Sequence, residues 1–199
     1  MKKLAIITTH PIQYQTPLFK SLQKKKIETH VFFASKHGIQ KKNLDPEFLT
    51  KIKWDNSGNL LEGYKSYFPK KQKYKIDDFR LSFSNIENIF KKKKFDAILV
   101  LGWHNLHYLR AILYALRNKK KLILRAENNL KQKNSLLTKI VKIILFRIFF
   151  KFFDYFLSIG KLNKEFYLSY GVKKYKIYNA PYFVDNDFFR IKINKKLIK

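Results

Sequence analysis

The sequence has 199 residues, of which 46% are hydrophobic, enough for one folded domain with a substantial core. It contains no cysteine, which excludes a disulfide framework, a thiolate metal site and a thiol nucleophile. The net charge of +29 favours an anionic partner, but only six of the 43 basic residues are arginine, the residue best suited to phosphate or base readout. Because a lysine-rich composition is also typical of an AT-rich genome, charge alone does not assign a nucleic-acid function.

Short apolar runs alternate along the chain with segments of helical periodicity. Strands are predicted at 4–9, 28–34, 95–102, 121–127, 154–160 and 175–181, and helices at 17–25, 84–94, 106–118, 135–152 and 162–171. Ser84 is the expected N-cap of the second helix. Residues 35–80 interrupt the alternation with turn-rich sequence, which indicates an excursion with short strands rather than a linker. The pattern predicts an α/β fold, a doubly wound parallel sheet of the Rossmann type.

Ligands of such sheets bind beyond the carboxyl ends of the strands, and the residues that follow the predicted strands are polar or aromatic. They are candidates for contact with a hydroxyl-rich ligand, because amides both donate and accept hydrogen bonds and aromatic rings pack on sugar faces. The candidate catalytic residues are His10 and His104. The candidate substrate-binding residues are Gln13, Tyr14, Gln15, Trp103, Asn105, Arg125, Glu127, Asn128, Lys161 and Asn163.

Six motifs in chain order resemble the N-terminal half of bacterial family 4 (group 1) glycosyltransferases of the GT-B type. They are HPIQYQTPLF, WDN…LLEGY, GWHN, RAENN, SIGKLNKEFYLSYGV and NAPYFVDNDFF, and the resemblance covers residues 2–189. It implies a Rossmann-like acceptor-binding domain at 1–185, with the excursion at 35–80, and an interdomain linker at 186–199. The resemblance implies that Trp103 occupies the place where related enzymes have a histidine that contacts the donor sugar.

The resemblance implies retaining transfer of a sugar from a nucleotide-sugar co-substrate to a surface-glycan or lipid-linked acceptor, with no metal or other cofactor. The chain ends at INKKLIK, where a donor-binding domain would follow, so this polypeptide is expected to be inactive alone. A split enzyme with a separate donor-domain chain, a truncated gene product and an independent acceptor-binding or partner subunit are the alternatives. A nucleic-acid module is disfavoured, because the lysines are dispersed and no recognition motif is found.

Each candidate also has a structural interpretation. His10 could cap the first strand. His104 and His107 could form a metal pair, but no third ligand is evident, and a water-exposed position at the helix start is favoured for both. Arg125 and Glu127 lie on one face of a strand end, where they could pair with each other or bind acceptor or phosphate. Lys161 and Asn163 open a helix, which suits an anion through the helix dipole.

The segment 136–156 raises the question of a membrane. Four cations, Lys139, Lys142, Arg147 and Lys151, interrupt its apolar residues, which disfavours a spanning helix. It could pack on the sheet with a lysine-bearing solvent face, or it could form a basic amphipathic surface on anionic lipid. The start MKKLAIITT lacks a signal-like continuation, so a cytoplasmic protein is expected, with peripheral attachment to the inner membrane face as an option.

Overall fold

The fold is a seven-stranded parallel sheet flanked by helices, as the alternation of elements predicts. It was obtained as a computed structural model, which describes residues 1–37, 39, 59–131 and 135–182 and the backbone of two short strands between 44 and 51. The predicted linker at 186–199 and most of the last motif of the resemblance lie outside the described residues.

The strands are β1 (Lys2–Thr8), β2 (Ile27–Phe33), β3 (Leu44–Asp45), β4 (Thr50–Lys51), β5 (Lys65–Tyr67), β6 (Ala97–Val100), β7 (Lys121–Leu124), β8 (Tyr155–Ser158) and β9 (Ile177–Asn179). The helices are α1 (Thr16–Lys24), α2 (Ile86–Lys93), α3 (Leu106–Arg117), α4 (Leu136–Phe150) and α5 (Lys161–Ser169), with 3-10 turns at Asn59–Leu61 and Lys174–Lys176. The strand order is β5-β2-β1-β6-β7-β8-β9, and β3 and β4 form a separate antiparallel pair. The order therefore changes direction between β1 and β6, where a doubly wound sheet opens its ligand crevice.

The excursion at 35–80 contributes a strand to the main sheet. β5 pairs in parallel with β2, with His30 opposite Lys65 and Phe32 opposite Tyr67. Short strands were expected in this region, but their place in the sheet was not. A three-residue edge strand with the sequence KSY has too little apolar periodicity to predict which strand it pairs with.

Helix starts follow local capping chemistry in some cases and not in others. α1 has Pro17 in its first turn, where a missing N–H costs nothing. Ser135 caps α4, and its Oγ accepts a hydrogen bond from the backbone N–H of Thr138 at 3.3 Å. The predicted cap at Ser84 is wrong: α2 begins at Ile86, with Asn85 in the N-cap position and no side-chain cap bond.

Apolar side chains cover both faces of the sheet. One face of β1, with Leu4 and Ile6, packs with Phe19 of α1 and with β2. The other, with Ala5 and Ile7, belongs to a larger core to which α2, α3, α4 and α5 contribute. Because the helices occupy the faces, the loops at the carboxyl ends of the strands are left as the place for a polar site.

Candidate functional site

A cluster of two tyrosines, one arginine and one glutamate lies where the loops after β1, β7 and β9 meet. The rings of Tyr14 and Tyr182 contact edge to face, with centroids 4.7 Å apart. The guanidinium carbon of Arg125 lies 4.5 Å from the centre of the Tyr182 ring, a cation–π contact. Three distant parts of the sequence thus meet at the carboxyl edge of the sheet, as expected from their positions after strands.

Arg125 is buried, and its own hydrogen bonds are to the backbone. Its Nη2 donates to the carbonyl oxygen of Ala180 at 3.2 Å, and its backbone N–H donates to Val100. Burial lowers the pKa of the guanidinium, while the charge of Glu127 opposes that shift. Arg125 therefore fixes the end of β9 against β7, and its stacked face supports the Tyr182 ring.

Tyr14 and Glu127 form the exposed side of the cluster. Burial raises the pKa of Tyr14, and the charge of the Glu127 carboxylate and a hydrogen bond to it raise that pKa further. The phenol is therefore a neutral hydrogen-bonding group at physiological pH. Tyr14 is 42% exposed, so its ring and hydroxyl remain accessible to a ligand.

His10 lines a small cavity of about 160 Å³ next to this cluster. The cavity is also lined by Gln13, Tyr14 and His37. Burial, with a smaller contribution from repulsion by His37, lowers the pKa of His10 to about 4. Nδ1 of His10 lies 2.9 Å from Oγ1 of Thr9. His10 is therefore neutral at pH 7 and suits a hydroxyl group better than a phosphate.

His104, the second candidate catalytic residue, is exposed at the end of β6. Its ring lies 5.3 Å from that of Tyr108, and its Nε2 lies 3.4 Å from Nδ2 of Asn105. Partial burial lowers its pKa. The structure gives His104 no carboxylate partner among the described residues that would activate it as a base.

Three predicted ligand contacts are internal structural residues. Gln15 is buried, and its Oε1 accepts from Oγ1 of Thr8 at 3.1 Å. Asn105 is fully buried and caps α3, accepting from the N–H of Tyr108. Their amide oxygens accept hydrogen bonds inside the protein, which gives both residues a structural role that position after a strand did not indicate.

Asn163 is the third of these internal residues and joins β7 to β8. Its Nδ2 donates to the carbonyls of Ala126 at 2.8 Å and Asn128 at 2.7 Å, and its Oδ1 accepts from the N–H of Ile159. A buried amide with three protein partners has little capacity left for a ligand. The helix it belongs to begins at Lys161, which is exposed at the same edge.

Trp103 and His107 also point away from the crevice. Trp103 packs edge to face against Phe146, Phe149 and Phe150 of α4, with centroids 5.6 to 6.0 Å apart. His107 was expected to be water-exposed, but it is fully buried and its Nε2 donates to the carbonyl of Phe32 at 3.0 Å. Burial lowers its pKa to about 4. Among the described residues there is no group of three potential metal ligands, so the His104–His107 pair lacks the third partner that zinc requires.

Two residues join the site that the candidate residues did not include. His37 lines the same cavity as His10, and their rings are 5.4 Å apart. Tyr182 supplies the ring between Tyr14 and Arg125. Both follow a strand at its carboxyl end, so the rule that identified the other candidates applies to them as well.

Solved structures resemble the fold of this chain, whereas comparisons of its sequence assign it to no family. No protein-family model matches the sequence, and no curated protein matches it. MnaA from S. aureus with UDP bound is similar in structure, with a TM-score of 0.59 and 19% identity over 89% of this chain. HepE from Anabaena, in complex with UDP and glucose, is similar with a TM-score of 0.57 and 10% identity over 95% of this chain. A UDP-N-acetylglucosamine 2-epimerase from Rickettsia bellii is similar with a TM-score of 0.54 and 13% identity over 92% of this chain.

The chain covers 44%, 46% and 45% of those three proteins, less than half the length of each. The neighbours are GT-B-type glycosyltransferases and epimerases. At such low identities the likeness establishes the fold, a Rossmann-like sheet matching one part of a GT-B protein. The expected fold class is confirmed.

Proposed function

We propose that this chain is the acceptor-binding, N-terminal half of a family 4 retaining glycosyltransferase, which transfers a sugar from a nucleotide-sugar donor to a surface-glycan or lipid-linked acceptor. The observation that carries the proposal is the site at the carboxyl edge, where Tyr14, Tyr182 and Arg125 adjoin the cavity of His10 and Gln13. Neutral hydrogen-bonding groups and aromatic rings favour a polyhydroxylated ligand over a polyanion.

The neighbours support a nucleotide sugar as the second substrate. Two of them contain UDP, and one contains glucose as well. In the crevice of this chain, the described loops offer no glycine-rich phosphate cradle, and His10 is neutral at pH 7. We therefore assign the nucleotide to a donor-binding domain and the acceptor to this half.

In the proposed reaction, the acceptor hydroxyl forms a bond to the anomeric carbon on the face from which the diphosphate leaves. The bond between that carbon and the diphosphate oxygen breaks, and the hydroxyl proton passes to a donor phosphate oxygen. This half contributes by holding the acceptor hydroxyl next to the anomeric carbon on the face of the departing diphosphate, which replaces a bimolecular encounter by an oriented one. Stabilisation of the leaving diphosphate would come from the donor-binding side.

A binding experiment tests the acceptor assignment. The full chain, labelled at tyrosine and histidine, is titrated in NMR with methyl glycosides of hexoses and N-acetylhexosamines and, separately, with UDP. We expect saccharides to shift the signals of Tyr14, Tyr182 and His10, and Tyr14→Ala to weaken binding at least about five-fold through loss of ring contact. Tyr175→Ala is the matched control, because Tyr175 is equally aromatic and 74% exposed but precedes β9 at the amino edge.

A nucleotide-sugar epimerase half is the second candidate, since one neighbour of similar TM-score is a UDP-N-acetylglucosamine 2-epimerase. It predicts a different titration: UDP-N-acetylglucosamine would shift the site signals, and free glycosides would not. Saccharide binding that is as strong in Tyr14→Ala as in the wild type and in Tyr175→Ala would show that the crevice is not the acceptor site.

A further inference from the structure

Helix α4 turns an almost wholly aliphatic face to the solvent. Leu137 is 73% exposed, Ile144 54% and Ile148 52%. At 100° per residue, these three side chains fall within about 40° of one another on the helix. Ile140, Val141 and Leu145 extend this face on either side, and each is about half exposed. We call these six residues the outer face of α4.

The opposite side of the same helix anchors it to the domain. Phe146, Phe149 and Phe150 pack against Trp103, and Phe146 and Phe150 also contact Phe166 and Tyr170 of the next helical segment. The helix is thus held by its aromatic side, and the outer face is not used in the described core. The helix therefore packs by its aromatic side, as one of the two interpretations of this segment predicts, and its solvent side carries aliphatic residues as well as the exposed Lys139 and Arg147.

Basic residues accompany α4 along the sequence, and two of them, Arg147 and Lys151, lie beside the outer face. Between Glu127 and Asp154 the sequence has no acidic residue and six basic ones: Lys131, Lys133, Lys139, Lys142, Arg147 and Lys151. Lys139 and Lys142 line a groove of about 240 Å³ between α4 and α5, and Arg147 and Lys151 are exposed near the other end of the helix. A surface that binds a protein partner would be expected to carry carboxylates as well as cations. An aliphatic face with basic residues and no acidic ones instead matches the acyl and phosphate layers of an anionic bilayer.

We propose that α4 docks the protein on an anionic lipid bilayer, with the outer face among the acyl chains and the flanking cations at the headgroup phosphates. The 15-residue helix is about 22 Å long, too short to cross the hydrocarbon layer. No helix in the described part of the chain has the length and apolarity of a membrane span. The helix therefore lies in the plane of the interface.

Docking in this way has a consequence for the crevice. α4 follows β7, so in a parallel sheet its first turn lies at the carboxyl edge. Asn128, which leads from β7 towards α4, lines the groove together with Lys139. A lipid-borne molecule at the docked surface would thus lie beside the proposed acceptor site. The docking itself does not depend on the proposed function, since lipid binding requires neither donor nor acceptor.

Vesicle flotation of the full chain tests the proposal. We expect the chain to float with vesicles of phosphatidylcholine and phosphatidylglycerol, and much less with phosphatidylcholine alone or at high salt. Ile144→Glu should lower partitioning at least about ten-fold, because a charge replaces an apolar group in the acyl layer. Leu113→Glu is the matched control: Leu113 is 48% exposed on α3, and its substitution should leave partitioning unchanged.

A second pair of variants tests the cations without altering the aliphatic face. Arg147→Gln with Lys151→Gln should lower partitioning about five-fold for each charge removed, whereas Lys91→Gln with Lys92→Gln on α2 should have a much smaller effect. Circular dichroism confirms that each variant is folded. Equal binding to neutral and anionic vesicles, or equal losses in the α4 variants and their controls, would overturn the proposal. It would also be overturned by a lipid-free dimer that Ile144→Glu dissociates, since a second copy would then cover the outer face.

Discussion

The buried histidine of α3 makes a quantitative prediction about acid stability. His107 has no exposed surface, its Nε2 donates to the carbonyl of Phe32, and burial lowers its pKa from 6.5 to about 4. The unfolded chain binds a proton at this residue below pH 6.5, but the folded protein does not until about pH 4. Stability from this residue is therefore complete above pH 6.5 and is lost as the pH falls towards 4.

The size of the effect follows from the gap between the two pKa values. Linkage gives a loss in the free energy of unfolding of about 2 kcal/mol at pH 5 and about 3 kcal/mol at pH 4. Because small domains are stable by only about 5–15 kcal/mol, the loss is large enough to measure by denaturation. His10, whose pKa is also lowered to about 4, adds a loss in the same pH range.

The variant His107→Gln separates the two histidines. A glutamine amide can still donate to the Phe32 carbonyl but does not titrate, so the variant should be less stable by about 1–2 kcal/mol at pH 7. That difference should shrink or reverse by pH 4, because only the wild type loses the contribution of His107. Urea denaturation at pH 7, 6, 5 and 4, followed by tryptophan fluorescence, measures both curves, and NMR titration of the imidazole signals gives the pKa directly.

His104→Gln is the matched control, since this exposed histidine precedes the same helix and its pKa is less affected by burial. It should leave most of the pH dependence in place. The reasoning is refuted if His107→Gln keeps the full wild-type slope between pH 7 and 4, or if the imidazole of His107 titrates near 6.5.

Three further substitutions probe the two ends of the strands: Asn163 and Gly102 lie at the carboxyl edge of the sheet, and Glu28 lies at its amino edge. Asn163→Ala removes three hydrogen bonds to backbone groups that are buried or partly buried, and we expect it to lower the free energy of unfolding by about 2–4 kcal/mol in urea denaturation. Gly102→Ala adds a Cβ 3.1 Å from the ring of Tyr108 at a φ of +150°, so it should destabilise by about 1–3 kcal/mol in thermal denaturation. Hydrogen bonds from Lys65 and, to a smaller extent, from His30 lower the pKa of Glu28 to about 2, so the wild type should lose stability as the pH falls from 4.5 to 2. Glu28→Gln should abolish that loss.

Each of these has a result that would contradict it. If Asn163→Ala is as stable as the wild type, the hydrogen bonds of the Asn163 side chain do not contribute to stability. If Gly102→Ala is as stable as the wild type, the close approach to Tyr108 does not restrict this position. Acid titration of wild type and Glu28→Gln, followed by circular dichroism, should diverge below pH 4.5, and parallel curves would show that the Glu28 carboxyl titrates alike in the folded and unfolded chain.

The site shows where position after a strand is a sufficient guide and where it is not. Gln13, Tyr14, Glu127 and His10 all reach the crevice or its cavity from loops that the sequence placed at the carboxyl edge. Asn163 comes from a loop of the same kind, yet its amide binds the protein itself. Spacing along the chain cannot distinguish the two cases, because the acceptors of a side chain belong to strands distant in sequence.

The sequence by itself determined the alternation of strands and helices, and with it the parallel sheet, because hydrophobic periodicity and capping are local properties. It also placed Arg125 and Tyr182 at strand ends. Only the tertiary structure decided that β5 completes the sheet beside β2, that His107 is buried, and that the described residues leave the aliphatic side of α4 uncovered. Periodicity states which side chains share a face, but the packing of distant segments decides which faces are covered and which are left for a partner.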